Sequence, residues 1–129
     1  MRVLAIDHGS ARCGAAVSDP SGTISRPLEP ISPPDPEVVA ALAAELGAEA
    51  IVVGLPVSLD GNEGPQAAEA RSFAGAVAAL VAVPVETYDE RLTTRMAAAS
   101  RRSGSRAAED SLAAAHLLDS YLISDEARR

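Results

Sequence analysis

Four acids stand where the chain's extended or helical runs begin or stop. Asp7 closes the apolar run Met1–Ile6. Asp89 and Glu90 close the run Val83–Tyr88, and Asp110 opens the last helical stretch. Carboxylates that converge repel one another, and at neutral pH they need a cation. Hard oxygen donors suit Mg²⁺ or Mn²⁺, which take few protein carboxylates and leave room for phosphate and water. Two such ions about 3.5–4 Å apart can activate a water and stabilise the leaving oxygen of a phosphodiester.

The elements must bring those acids together. Met1–Asp7 and Cys13–Asp19 read as strands joined by a Gly-containing turn. Pro20-Ser21-Gly22 is a turn signal, so Thr23–Ile31 reads as a third, antiparallel strand. Its Pro27 and Pro30 suit an edge, because proline cannot donate to a ladder. Asp35 is placed to cap a helix with Pro36 at its first position, and Gly47 to close it. Glu49–Leu55 is a short buried strand, Pro56–Gly64 a loop, and Pro65 opens a second helix with Ala70, Phe73, Val77 and Val81 on its apolar face. Val83–Tyr88 is the fifth strand. A helix capped by Thr93 or Thr94 runs to about Ser100, and a last helix from Arg106 to about Ile123.

Three meandering strands followed by strands alternating with helices predict an α/β fold. It has a five-stranded mixed sheet, three strands antiparallel and the later ones parallel, flanked by helices. Right-handed crossovers place the fourth strand beside the first. The ends carrying Asp7 and the Asp89-Glu90 pair then share a rim, where sites of open α/β sheets gather. Spacing leaves Asp89 and Glu90 as alternatives. Asp110 precedes Ala114, Leu117, Leu118 and Tyr121 by four, seven, eight and eleven residues, which puts it on the core-facing stripe. Glu109 shares a face with His116 and Ser120 that reads as wetter.

Each residue also has an ordinary structural role. Asp19 reads as a turn acid, and Cys13 as a small core residue. Asp110 and Glu109 suit a helix dipole, and Asp89 or Glu90 could pair with Arg91. His116 reads as a helix-surface residue, whereas His8 could touch a substrate. Asp7 is the hardest to explain structurally, because an acid closing a buried strand costs desolvation unless it has a partner. No Cys/His spacing suits zinc, and no Walker-type or G-x-G-x-x-G loop is present.

Composition narrows the classes. The 129 residues suit a single domain spanning 1–129, and at 47% hydrophobic content a buried core is feasible. At 2% aromatic content, extended base-stacking platforms are not expected. One cysteine excludes an internal disulfide and fits a reducing compartment. With no secretory signal and no run long enough to span a bilayer, a cytoplasmic protein without membrane contact is expected. The net charge of −7 opposes general nucleic-acid affinity, but Arg91–Arg106 holds five arginines and no acid. The remaining six arginines stand against eighteen acids.

Four segments together resemble a known family. They are Leu4-Ala5-Ile6-Asp7-His8-Gly9-Ser10 through Asp19-Pro20, Ile51-Val52-Val53-Gly54-Leu55-Pro56 through Asp60-Gly61-Asn62-Glu63-Gly64-Pro65, Asp89-Glu90-Arg91-Leu92-Thr93-Thr94, and Asp110-Ser111-Leu112-Ala113-Ala114 through Tyr121-Leu122. In this order they resemble the YqgF/RuvX family over nearly the whole chain. The resemblance implies an RNase H-like fold and a metal-dependent endonuclease. Its expected tasks are processing the 5′ end of pre-16S rRNA, Holliday junction resolution, or both. It implies metal-binding, catalytic carboxylates at Asp7, Glu90 and Asp110, with Mg²⁺ or Mn²⁺ as cofactor. The expected partner is a structured nucleic acid, pre-16S rRNA or a four-way DNA junction. Arg12, Arg91, Arg95, Arg101, Arg102 and Arg106 are its expected phosphate contacts, a task that suits the guanidinium fork.

Three features depart from the family pattern: a shorter, lysine-free basic stretch, Ala11 at an often basic position, and Ser111 where Gln commonly follows the acid. They bear on substrate grip rather than on metal binding. A two-fold junction would suit a homodimer. Two further classes compete. A non-catalytic RNA- or ribosome-associated factor would keep the fold without the chemistry, and would bind folded RNA without cutting it. The Asp-x-Gly-Ser turn is also similar to the phosphate loop of actin-like ATPases and sugar kinases. Those need two such domains, and a thermal shift with Mg-ATP separates them.

Overall fold

A computed structural model describes residues 1–57, 60–90 and 106–127, with residues 106–110 and 125–127 described by their backbone alone. Five strands form one mixed sheet: β1 (Val3–His8), β2 (Cys13–Ser18), β3 (Ser25–Ile31), β4 (Ala50–Leu55) and β5 (Val85–Asp89). Their order is β3-β2-β1-β4-β5. The β1–β2 and β2–β3 pairs are antiparallel, and the β1–β4 and β4–β5 pairs are parallel. The expected crossover of β4 to the side of β1 is borne out, as is the edge position of the proline-bearing β3.

Period-two alternation divides the core between the two faces. Leu4 and Ile6 of β1 and Ile51 and Val53 of β4 pack with Val39 and Phe73, under α1 (Pro36–Leu46) and α2 (Pro65–Ala78). Val3 and Ala5 of β1 and Ala50 and Val52 of β4 pack with Ala114, Leu117, Leu118 and Tyr121 of α3 (Arg106–Ala127). Small side chains on both sides, Ala5 and Ala16 against Ala114 and Ala115, let α3 lie close to the sheet.

Local chemistry sets the element ends. Asp35 accepts from the Glu37 N–H at 2.9 Å, Pro36 takes the first helical position, and Gly47 closes α1 in the left-handed region at φ 67°. Such a cap is worth about 1 kcal/mol. β3 starts two residues later than expected because Asp19 is spent on the turn. Ser21 Oγ donates to Asp19 Oδ2, and Asp19 Oδ1 accepts from Thr23 and Ile24 N–H at 2.7 and 2.9 Å; the hydroxyl first and then the two N–H groups hold its carboxyl down at about 2. α2 stops at Ala78, short of Val81, although Val81 still packs on the core from the following turn. α3 runs four residues past its expected end, to Ala127. The loop after β4 is clamped to α2 by a two-pronged Glu63–Arg71 ion pair, both contacts at 2.6 Å. The expected helix around 93–100 lies outside the described residues. Among the described residues no helix is long and apolar enough to cross a membrane.

Candidate metal centre

Strand parity decides which acids meet. Leu4, Ile6 and His8 of β1 face α1 and α2, so Asp7 faces α3 together with Val3 and Ala5. The parallel register pairs Gly54 of β4 with Tyr88 of β5, and Leu55 with Asp89. Tyr88 packs on the α3 side, so Asp89 turns away from it and Glu90, one residue past β5, returns to it. Of the two acids that spacing left open, Glu90 is the one placed on Asp7's side of the sheet. The half-buried Asp7 and Glu90 share a side-chain hydrogen bond.

Glu90 reaches Asp7 by lying across Gly54. A Cβ on Gly54 would stand 2.5 Å from Glu90 Oε1 and 3.1 Å from its Cγ and Cδ. Gly54 carries no chemistry of its own in the sequence, yet a glycine inside the run Ile51–Leu55 is a signal of close approach. Gly54→Ala should displace Glu90 and weaken Mn²⁺ binding about tenfold or more, the effect of misplacing a ligand, with the fold retained. Calorimetric titration with Mn²⁺ measures it, and unchanged affinity would show that Glu90 does not depend on that seat.

The electrostatics of the pair fit a cation site. Burial pushes the Glu90 carboxyl up from 4.5 to about 9, helped by its hydrogen bond to Asp7 and by the charges of Asp7 and Asp89. Glu90 therefore holds a proton at neutral pH and donates it to Asp7. A divalent cation would replace that proton, which makes the donor set, two hard oxygen acids at a half-buried rim, chemically suited to Mg²⁺ or Mn²⁺. The third expected ligand, Asp110, sits in the first turns of α3, the helix that covers this same face. Its side chain lies outside the described residues.

The other expected site residues fall as follows. Arg12 is half-buried in the β1–β2 turn, where its carbonyl accepts the Gly9 N–H at 3.0 Å. Arg91, Arg95, Arg101 and Arg102 lie outside the described residues, and Arg106 is described by its backbone alone. Ser111 is buried and donates to the Leu28 carbonyl, so it ties α3 to β3. Burial raises the Cys13 thiol to about 11, which suits the core role expected of it and not a nucleophile's. The face expected to be wetter is partly covered. His116 is half-buried, and Ser120 Oγ meets Tyr88 Oη at 2.9 Å, because β5 leans on α3 there. His8 faces away from Asp7 and packs its ring against Phe73, centroids 4.7 Å apart.

The sheet order and the helix placement are those of an RNase H-like fold. The chain superposes on Thermus thermophilus RuvC, solved in complex with a Holliday junction substrate, with a TM-score of 0.64 at 19% identity, covering 97% of this chain and 96% of that one. The yeast mitochondrial Holliday junction resolvase Ydc2 matches with a TM-score of 0.52 at 12% identity, over 98% of this chain and 79% of that one. In sequence, residues 1–124 match the family described as RuvX: Holliday junction resolvase. Relatives that carry the provisional name pre-16S rRNA nuclease include one from Pelotomaculum thermopropionicum, 38% identical over 96% of this chain and 88% of its own length. Another, from Nocardioides sp., is 43% identical over 95% of this chain and 87% of its own length. The chain belongs to the RuvX family.

Proposed function

We propose that this chain is a divalent-metal-dependent endonuclease that cuts structured nucleic acid, with processing of the 5′ end of pre-16S rRNA as its leading task. The observation that carries the reading is the Asp7–Glu90 pair, two half-buried carboxyl groups hydrogen-bonded to each other at the parallel end of the sheet. Asp7, Glu90 and Asp110 would hold Mg²⁺ or Mn²⁺. Bound there, the metal supplies an activated water and a counter-charge for the leaving oxygen. Asp7 and Glu90 would orient that centre. The names of the relatives support rRNA as substrate, and the RuvC-like fold keeps a four-way DNA junction in view. A junction substrate would call for a homodimer.

Arg12 and the arginines from 91 to 106 would grip phosphates that the acidic remainder repels. Binding should then fall on the order of 100-fold between about 50 and 200 mM salt, as expected for roughly four or five neutralised phosphates. A dissociation constant that barely moves over that range would count against this footprint. The direct test offers the protein a pre-16S 5′-leader RNA and a four-way DNA junction, each with Mg²⁺, Mn²⁺ or EDTA. Cutting that needs the metal establishes the activity, and the preferred substrate names its task. Tight binding to folded RNA with no cutting under any metal would assign the chain to a non-catalytic binding role.

A further inference from the structure

We infer that a second site, on the opposite side of the β1 tip from Asp7, takes one unpaired nucleobase of the nucleic acid being cut. The inference rests on the nuclease reading and deepens it, because it names the state of the substrate next to the cut. The site is a cavity of about 620 Å³, open to solvent. Drug- and nucleoside-sized ligands occupy pockets of roughly 300–1,000 Å³. His8, the residue after Asp7, forms one wall, and Phe73 braces its ring at 4.7 Å with a 42° tilt. Pro33, Pro34 and Pro36 form an apolar wall. A flat heteroaromatic base matches such walls, an imidazole and proline faces, better than a flexible chain does.

The polar groups narrow the class of base. Glu69, Ser72, Phe73 and Ala76 recur at offsets of three, four and seven residues, so one stripe of α2 lines the cavity. That stripe brings a carboxylate and a hydroxyl, Ser10 adds a second hydroxyl, and among the described residues no arginine lines the cavity. A phosphate is therefore a poor occupant, whereas an exocyclic amino group, as on cytosine, is a good one: an ionised carboxylate only accepts. Asp7 and His8 are consecutive at the tip of β1, so a strand whose phosphodiester is held at Asp7 passes the rim beyond which His8 lines the cavity. A base in this cavity cannot be paired. The substrate then has to be single-stranded or splayed beside the scissile phosphate, and unpairing costs least where the nucleic acid is already open.

The experiment uses the whole protein in EDTA, so that no metal–phosphate contact contributes. The chain has two histidines, so the His8 ring signals in a ¹H–¹³C spectrum can be assigned and followed. Cytidine 5′-monophosphate at millimolar concentration should shift them saturably, and uridine 5′-monophosphate should bind several-fold more weakly. Ribose 5-phosphate should leave them unmoved. Ala76→Trp, at an exposed position on the cavity wall, should abolish the shift, and Glu69→Gln should erase the preference for cytidine over uridine. No shift with either nucleotide overturns the inference, as does an equal shift with ribose 5-phosphate or an unchanged response in Ala76→Trp. The nuclease reading is judged separately, by whether metal-dependent cutting depends on Asp7. Either can fail alone.

Discussion

Asp7→Asn is expected to lose metal-dependent cutting by about 1,000-fold or more, while the metal-free protein stays at least as stable as the wild type. The loss is about 4 kcal/mol of barrier, the scale of charge stabilisation that a bound metal supplies. Asparagine keeps the size of the side chain but offers a neutral oxygen where a cation needs an anionic one. The stability expectation follows from the neighbour. Asp7 accepts the hydrogen bond of the protonated Glu90 carboxyl; the asparagine Oδ1 still accepts it, and the substitution removes a half-buried negative charge. Cleavage rates with Mn²⁺, read beside melting temperatures in EDTA, check both halves. Cutting that survives the substitution would place the chemistry elsewhere or in a contaminant. A large drop in metal-free stability would mean that Asp7 is mainly structural.

Much of the fold is legible in local chemistry. The caps of α1, the edge prolines of β3 and the apolar runs of β1, β2 and β4 each act within a few residues, and each stands where its residues predict it. The shifted boundaries have non-local or competing causes. Asp19 draws two backbone N–H groups into its turn and delays β3. α3 is held over its length by the sheet and by Ser25, whose hydroxyl meets Asp119 Oδ1 at 2.6 Å, so the helix outlasts its own apolar stripe.

The site divides along the same line. Asp7 announces itself, because a charged residue at the end of a buried strand needs a reason. Glu90 does not, because the choice between it and Asp89 depends on the register of β5 against β4, which pairs Leu55 with Asp89. That register is a property of the sheet and not of the string Asp89-Glu90. Gly54 is an intermediate case: the glycine is visible, but what crosses it is not. The cavity beside His8 is assembled from residues near positions 8, 34 and 72, so no spacing rule reaches it.

Glu90→Gln should reverse the usual effect of losing a site residue, and the sign follows from linkage. In the fold the carboxyl titrates near 9, and in the unfolded chain near 4.5. Between those values the native state holds more protons than the unfolded state, so wild-type stability falls as pH rises through the window. Glutamine does not titrate and has no charge to bury. Near pH 5 the two proteins should melt together in EDTA. By about pH 8, allowing for solvent screening at the rim, the variant should be ahead by about 2 kcal/mol, or roughly 5–8 °C. Mn²⁺ should invert the order. At about one hundred times its dissociation constant it adds about 2.7 kcal/mol to the wild type, and much less to a protein that has lost a ligand. Scanning calorimetry across pH, with and without Mn²⁺, reads both effects. Parallel curves in EDTA would mean that Glu90 is already ionised in the fold. An advantage of the variant that survives Mn²⁺ would mean that the metal does not bind there.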